Sequence, residues 1–229
     1  MTRGRGVCAA GAARPAAARA LPPTRLPAPL LGAILAAVLL TACAHLPVGD
    51  DGLSYEQRRT RLEAVDTWEM RGRLAVAAGE RAFQGSFRWQ QSADALDLAI
   101  RGPLGAGVLE VNGTPSALTV TARGDTRVLE DPETQLSEIV GWWLPVASLH
   151  AWLLGLPDPS FKASTEPGPD GTLASLEQRL WRVAFASYQL APAKQGADSR
   201  LLVPRRIDLT HGEIRLRLTI DDWHAAATP

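Results

Sequence analysis

The stretch RAFQGSFRWQ, residues 81–90, decides the fold class, because its side chains alternate between apolar and polar. Phe83 and Phe87 fall on one face of an extended chain, whereas Gln84 and Arg88 fall on the other. A period of two is typical of a β-strand with one buried face. The segment therefore predicts a half-buried strand.

Neighbouring stretches repeat this alternation. Further strands are predicted at residues 73–76, 96–101, 109–111, 118–121, 173–176, 181–188, 205–209 and 214–220. Turns are predicted at Ala78-Gly79-Glu80, Asn112-Gly113 and Gly124-Asp125, and loops at the Pro/Gly/Asp-rich segments 157–171 and 191–200. The pattern indicates an antiparallel meander.

Three short helices interrupt or precede the strands. The capping-box spacing of residues 54–57 (SYEQ) predicts a helix to about Asp66. Residues 131–132 (DP) suit an N-cap and first helical position, and the apolar spacing of this second helix continues to Trp143. The third helix follows Pro145. Its apolar side chains include Leu149, Trp152 and Leu153.

These elements predict a mainly β protein: a curved antiparallel sheet forming an incomplete, half-open β-barrel, with short α-helices as a lid or plug. Such a sheet covered by apolar helices is one way to enclose a ligand. Periodicity alone favours the simpler alternative, in which sheet and helices form a solid core. The pattern does not separate the two.

The N-terminal segment has the features of an export signal. Five arginines and no acidic residue precede Asp50, and an apolar run covers residues 30–40. Leu40-Thr41-Ala42-Cys43 then fits the bacterial lipobox, in which the cysteine thiol accepts diacylglycerol. We expect residues 1–42 to be a cleaved lipoprotein signal peptide, residues 43–53 the lipidated Cys43 and a flexible tether, and residues 54–229 a single domain.

The alternative is an N-terminal transmembrane anchor that happens to contain a cysteine. The apolar run is shorter than the ~20 residues that an α-helix needs to cross a bilayer, which favours lipidation. Cys8, the other cysteine, lies in the predicted leader, so the mature chain has no pair of cysteines for a disulfide.

Charge argues against a nucleic-acid partner. Removing residues 1–42 takes away five arginines, so the balance becomes 19 basic minus 24 acidic residues, a net charge of −5. Binding to phosphates, or to anionic headgroups by charge alone, would favour a basic surface. We therefore expect a hydrophobic attachment to membranes. The remaining 187 residues are enough for one domain, which we expect to be a monomer.

Several short motifs together resemble the LolB family of outer-membrane lipoprotein receptors of Gram-negative bacteria. The motifs are residues 68–76 (WEMRGRLAV), 87–90 (FRWQ), 102–105 (GPLG), 152–157 (WLLGLP) and 220–223 (IDDW), behind the lipobox. Each motif alone is weak, but the combination covers nearly the whole mature chain.

The resemblance implies a receptor function at the outer membrane, facing the periplasm. The protein would receive other lipoproteins from the periplasmic carrier LolA, bind their acyl chains in an apolar cavity and insert them into the inner leaflet. Candidate cavity residues are Trp89, Leu98, Leu149, Trp152 and Leu153. The loop of Pro103, Leu104 and Gly105 would touch the membrane, and Leu104 matches the family's protruding leucine. For the cavity residues, ordinary core packing stays open as the alternative.

Two other classes of function compete with this interpretation. For an enzyme or a metal site, the four histidines lack metal-ligand spacing, and no nucleophile motif accompanies them. Asp221 and Asp222 are adjacent on a predicted strand, so we expect them to face opposite ways. We therefore expect no catalytic residue, no metal and no cofactor beyond the covalent diacylglycerol and N-acyl chain on Cys43. A lipid-anchored envelope scaffold with a solid β core is the second competitor.

Overall fold

The computed structural model describes residues 52–103, 108–191 and 201–226. All of these belong to one compact unit, Leu46–Pro229. Cys43, Leu104, Gly105 and residues 192–200 of the predicted loop at 191–200 lie outside the described residues.

Eleven strands make up most of the described chain. They are β1 (Thr67–Ala78), β2 (Arg81–Ser92), β3 (Ala95–Arg101), β4 (Val108–Thr114), β5 (Ala117–Ala122), β6 (Asp125–Leu129), β7 (Ala163–Pro167), β8 (Leu173–Gln178), β9 (Trp181–Ala191), β10 (Leu201–His211) and β11 (Ile214–Ala226).

All the strands belong to one antiparallel sheet in the order β6-β5-β4-β3-β2-β1-β11-β10-β9-β8-β7. The first strand therefore lies in the middle, between β2 and β11. The edge strands β6 and β7 do not pair with each other, so the sheet is not closed. This confirms the predicted mainly β, incomplete barrel.

The described residues also form three α-helices: α1 (Tyr55–Glu63), α2 (Pro132–Val140) and α3 (Val146–Leu153). Ser54 caps α1 in the predicted capping box, with Gln57 returning the hydrogen bond to the Ser54 backbone. Asp131 caps α2 and Pro132 begins it, also as predicted. A 3-10 turn covers Pro169–Gly171.

Two of the predicted helix ends were wrong. The first helix ends at Glu63 rather than near Asp66. The second ends at Val140, because Gly141 adopts a left-handed conformation with φ of 87°, which terminates a helix. Trp143 thus lies outside α2, although its spacing fitted the helical pattern.

Some predicted turns and loops were also wrong. Asn112-Gly113 lies inside β4, and the chain turns at residues 115–116 instead. The predicted loop at 157–171 contains the edge strand β7, whose five residues are all exposed and so show no alternation. Strand β6 was missed.

Asp221 and Asp222 are both exposed, instead of facing opposite ways. The register between β1 and β11 shifts at Arg71/Gly72, where Arg71 pairs with Asp222 and Gly72 with Ile220. This β-bulge leaves Asp221 as an extra residue on β11 and changes the normal alternation.

The core lies on the inner face of the sheet, beneath α2 and α3. A single cluster of buried apolar residues runs through both halves of the sheet and through the helices, from Met70 on β1 to Trp152 on α3 and Ile207 on β10. The helices therefore pack on the sheet through the same core that joins its two halves.

Candidate functional site

The inner face of β1–β5 carries a continuous apolar row. Strand pairing aligns Met70 with Trp89, Trp89 with Leu98, Leu98 with Val111 and Val111 with Val120. At one end of the sheet this face is sealed by an aromatic group, because the Trp68 ring lies 5.9 Å from that of Trp89 and 5.3 Å from that of Trp223.

The opposite end of the sheet is less completely covered. We call it the hairpin end, because it carries the turns at residues 79–80, 179–180 and 212–213. The apolar side chains near it pack against the core but are only partly buried. They are Val76, Ile100, Leu109, Ile214 and Leu216. Phe83 is 40% exposed. The interior is therefore closest to solvent at the hairpin end.

Helices α2 and α3 are fixed to the sheet by a polar group that we call the helix clamp: Glu133, Ser148, Asp158, Gln178 and Arg179. Arg179 donates to both carboxylate oxygens of Glu133, at 2.8 and 2.6 Å, and to the Ser148 hydroxyl at 3.3 Å. Ser148 in turn donates to Asp158 at 2.6 Å. The clamp thus joins both helices to the turn between β8 and β9.

Gln178, the last residue of β8, makes four side-chain hydrogen bonds, of which three are buried and one is part-buried. Its side-chain oxygen accepts from Trp152 Nε1 at 2.8 Å and from the Asp158 amide at 2.9 Å. Its amide nitrogen donates to the carbonyl oxygens of Asp158 and Phe161, at 2.8 and 2.7 Å. Gln178 is only 3% exposed, so the buried Trp152 indole and Asp158 amide rely on its side-chain oxygen, whereas the Asp158 carbonyl also accepts from the Phe161 amide at 3.3 Å.

Aromatic rings surround the clamp. The Arg179 guanidinium lies 4.3 Å from the centre of the Phe161 ring and 5.1 Å from that of Trp143, which are cation–π distances. His211 stacks on Trp181 at 5.3 Å and also contacts Trp143 at 5.6 Å. The segment between α2 and α3 is thereby packed against β9 and β10.

Most of the predicted cavity residues are buried in the common core. Trp89 is 5% exposed, Leu149 6%, Trp152 1% and Leu153 2%, and Leu98 is partly buried beside them. The space around them is filled by side chains. Open pockets lie elsewhere, one of about 340 Å³ beside Trp68 and Leu96 and one of about 630 Å³ on the outer face among Arg71, Arg73, Arg88 and Arg101.

In the predicted membrane loop, only Pro103 lies among the described residues, and it is exposed.

Sequence reasoning missed the helix clamp. Arg179 and Glu133 are 46 residues apart, and Gln178 and Asp158 are 20 apart, so no local spacing joins them. The available signal was weak: a glutamine at an otherwise apolar position of β8, followed by an arginine in the turn.

Among the described residues, two pKa values are strongly shifted, both outside the clamp. On the outer face, the guanidinium groups of Arg88 and Arg71 and the amide of Gln90 lower the pKa of Glu69 to about 2, despite a smaller opposing effect of burial. Burial raises the pKa of Tyr188, whose hydroxyl donates to the Leu173 carbonyl at 2.7 Å and accepts from the Leu173 amide at 3.1 Å.

In the part of the chain that the structure describes, no group of three or more His, Cys, Asp or Glu side chains could hold a metal ion. Among the same residues, no helix is both long and apolar enough to span a bilayer. Three buried indole N–H groups, those of Trp68, Trp142 and Trp181, have no acceptor within the described segments.

Comparison with known proteins gives a consistent result. The sequence profile described as "LolB: Outer membrane lipoprotein LolB" matches residues 66–223. The outer-membrane lipoprotein LolB of Alkalilimnicola ehrlichii is 34% identical over 201 residues, which is 86% of this chain and 97% of that protein. The LolB of Nitrosococcus oceani is 32% identical over 198 residues, covering 83% and 94% of the two chains.

Among solved structures, a LolA superfamily protein from Nitrosomonas europaea aligns with a TM-score of 0.46 and 7% identity, covering 77% of this chain and 96% of that one. The profile match and the length of the sequence alignments, which run through the central strands and both clamped helices, show that the chain belongs to the LolB family of outer-membrane lipoproteins.

Proposed function

We propose that this protein is an acceptor for lipoproteins, anchored in the outer membrane through lipidated Cys43 and facing the periplasm. It receives lipoproteins from the carrier LolA, holds their acyl chains against its apolar inner face and inserts them into the inner leaflet. Membership of the LolB family supports the pathway. The observation that carries the ligand class is the apolar inner face that stays partly uncovered at the hairpin end.

The energetics favour an apolar site. Each methylene of an acyl chain gains ~0.8 kcal/mol when it leaves water, so an acylated cargo needs continuous apolar cover during transfer. The side chains that fill the interior here must separate to admit such a chain. Movement of α2 and α3 away from β5 and β6 would uncover the inner face. The unpaired indole N–H groups of Trp142 and Trp181 could then donate to ester oxygens of the lipid.

The first test measures the uptake of a fluorescently labelled triacylated peptide by the chain carrying Cys43→Ala. We expect binding, and we expect Phe83→Asp to weaken it about tenfold because a charge would face the acyl chains. The matched control is Gln84→Asp, which places the same charge on the exposed outer face of β2. Equal binding by both variants would contradict an inner-face site.

The membrane loop can be tested separately. Leu104→Glu should leave folding and peptide uptake nearly unchanged while stopping release of the peptide into liposomes, because an apolar side chain would no longer enter the bilayer. Release at the normal rate would mean that residues 103–105 form only a turn.

The alternative function is a lipid-anchored envelope scaffold. The filled interior around Trp152 and Leu153 favours it, because a scaffold needs only a solid core. A scaffold would neither copurify with lipid nor take up the acylated peptide, so the first test also separates the two functions.

A further inference from the structure

Leu180 is displayed to solvent at the tip of the turn between β8 and β9. It is 86% exposed, more than any other large apolar side chain in the described segments. An isolated exposed leucine has no special meaning. Leu180, however, also has an unfavourable backbone conformation and lies in a turn that is held by hydrogen bonds.

The turn is strained for the residues that form it. Gln178 pairs with Trp181, so Arg179 and Leu180 make a two-residue connection. Their φ angles are 51° and 64°, both in the left-handed region. Hairpins of this type prefer Asn-Gly or Asp-Gly, because a β-carbon makes positive φ unfavourable. A leucine at this position reduces stability and gains no packing in return.

The helix clamp holds this turn rigidly in place. Arg179, which precedes the leucine, is bound by Glu133 and Ser148 and stacked on Phe161. Phe161 is itself 44% exposed, and the next residue, Lys162, is exposed. The tip therefore presents one protruding aliphatic side chain, one partly exposed ring and one ammonium group.

That combination fits a lipid surface better than a protein groove. Leucine and phenylalanine can enter the boundary between headgroups and acyl chains, while a lysine beside them stays with the phosphates. The exposed apolar residues Phe83 and Leu180 both lie toward the hairpin end, where the inner face is least covered. Contact with the bilayer at this end would bring the opening and the membrane together.

The length of the anchor segment permits this contact. Leu53 is the tenth residue after Cys43, and ten residues of extended chain span up to about 35 Å. Leu53 adjoins Gly171, just before β8, and the six residues of β8 lead from there to the turn over about 20 Å. A protein anchored at Cys43 can therefore place residue 180 on the bilayer.

We propose that Leu180, supported by Phe161, is a bilayer contact that inserts into the membrane interface. This inference rests on the lipid anchoring in the proposed function, and it concerns a different turn from the loop at residues 103–105.

The test uses the full chain carrying Cys8→Ala and Cys43→Ala, with vesicles of phosphatidylethanolamine and phosphatidylglycerol. Leu180→Asn should lower the vesicle-bound fraction about tenfold. It should not lower the melting temperature, because asparagine tolerates positive φ. The matched control is Val128→Asn, which removes an aliphatic side chain that is 72% exposed on β6 and should leave vesicle binding unchanged.

A second readout locates the contact directly. In the same cysteine-free background, Leu180→Cys labelled with an environment-sensitive fluorophore should shift to shorter wavelength when vesicles are added, whereas Val128→Cys should not. Absence of a shift at position 180, or a shift with soluble carrier protein alone, would overturn the proposal. Acylated-peptide uptake measured without vesicles should be normal in Leu180→Asn, so failure of the proposed function would be seen separately.

Discussion

The two halves of the sheet hold the helices in different ways. On the C-terminal half, β7–β11, the helix clamp joins α2 and α3 to the β8–β9 turn through directional hydrogen bonds. On the N-terminal half, β1–β6, α2 contacts β5 and β6, but no hydrogen bond joins either helix to these strands within the described segments. Apolar contacts can be exchanged for other apolar groups, whereas buried hydrogen bonds cannot be broken without leaving polar atoms unpaired.

Among the clamp residues, Gln178 should contribute most to holding the helices on the C-terminal half of the sheet. Replacing it by leucine keeps a similar size but removes the hydrogen-bond partner of the Trp152 indole, the Asp158 amide and the Phe161 carbonyl. The Asp158 carbonyl loses one donor and keeps the Phe161 amide at 3.3 Å. We expect a loss of about 4 kcal/mol in the free energy of unfolding, measured by urea denaturation. The control is Gln84→Leu on the exposed outer face of β2. A loss below about 1 kcal/mol would mean that the clamp contributes little.

The junction between the halves depends on Gly72. A β-carbon at this position would lie 2.1 Å from the Thr219 carbonyl oxygen and 3.0 Å from the Phe87 ring. Gly72→Ala should therefore separate β1 from β11 at the bulge and cost about 3 kcal/mol. Thermal unfolding measures the loss, with the exposed residue Ser86→Ala as control. An unchanged melting temperature would show that the two halves can move apart here without cost.

Arg179→Met tests the ionic part of the clamp. It removes both hydrogen bonds to Glu133, whose side chain is 24% exposed, while that of Arg179 is 15% exposed. We expect a loss of about 2 kcal/mol, less than for a fully buried pair, because water still reaches Glu133. Amide hydrogen exchange in α2 should also become faster. The control is Arg182→Met, at a side chain that is 52% exposed, which should change neither the free energy of unfolding nor the exchange rate in α2. If the α2 amides of Arg179→Met exchanged as slowly as those of the unaltered protein, the Arg179–Glu133 pair would not hold α2 in place.

The smallest expected effect is a pH dependence on the N-terminal half. The pKa of Glu69 is lowered from 4.5 to about 2 by Arg88, with Arg71 and Gln90 adding to the effect. A carboxylate with a lowered pKa in the folded state stabilises the fold above its unfolded-state pKa, and that contribution is lost as the pH falls from about 4.5 towards 2. Urea midpoints measured across this range should decrease less steeply in Glu69→Gln. If the urea midpoints of both proteins fell equally with pH, Glu69 would not be the source of this pH dependence.

Sequence reasoning succeeded where local pattern and tertiary packing agree. The alternation of Phe83, Phe87 and Trp89 placed β2 correctly: Phe87 and Trp89 are buried on its inner face, Gln84 and Arg88 are exposed on its outer face, and only Phe83, near the hairpin end, is 40% exposed. The caps Ser54 and Asp131 marked the starts of their helices, because a cap depends only on residues within one turn.

It failed where the deciding contact is distant. Asn112-Gly113 has the composition of a turn, but Gly113 lies in β4 so close to the Ala117 carbonyl that a β-carbon would come within 2.1 Å of it. Strand β7 is visible only through its pairing with β8, because all five of its residues are exposed. The helix clamp likewise brings together side chains from separate parts of the chain, and no period in the sequence could reveal it.

The position of β1 in the middle of the sheet affects how the domain responds to mechanical load. A pull arriving from the residues before Gly52 first reaches α1, which is seated at its start against Gly171. Beyond α1 the force meets a strand of twelve residues that is hydrogen-bonded on both sides, to β2 and β11. The hydrogen bonds on both sides of β1 are loaded in shear and share the force. Helix α1 would therefore detach at a lower force than the one that separates β1 from its neighbouring strands.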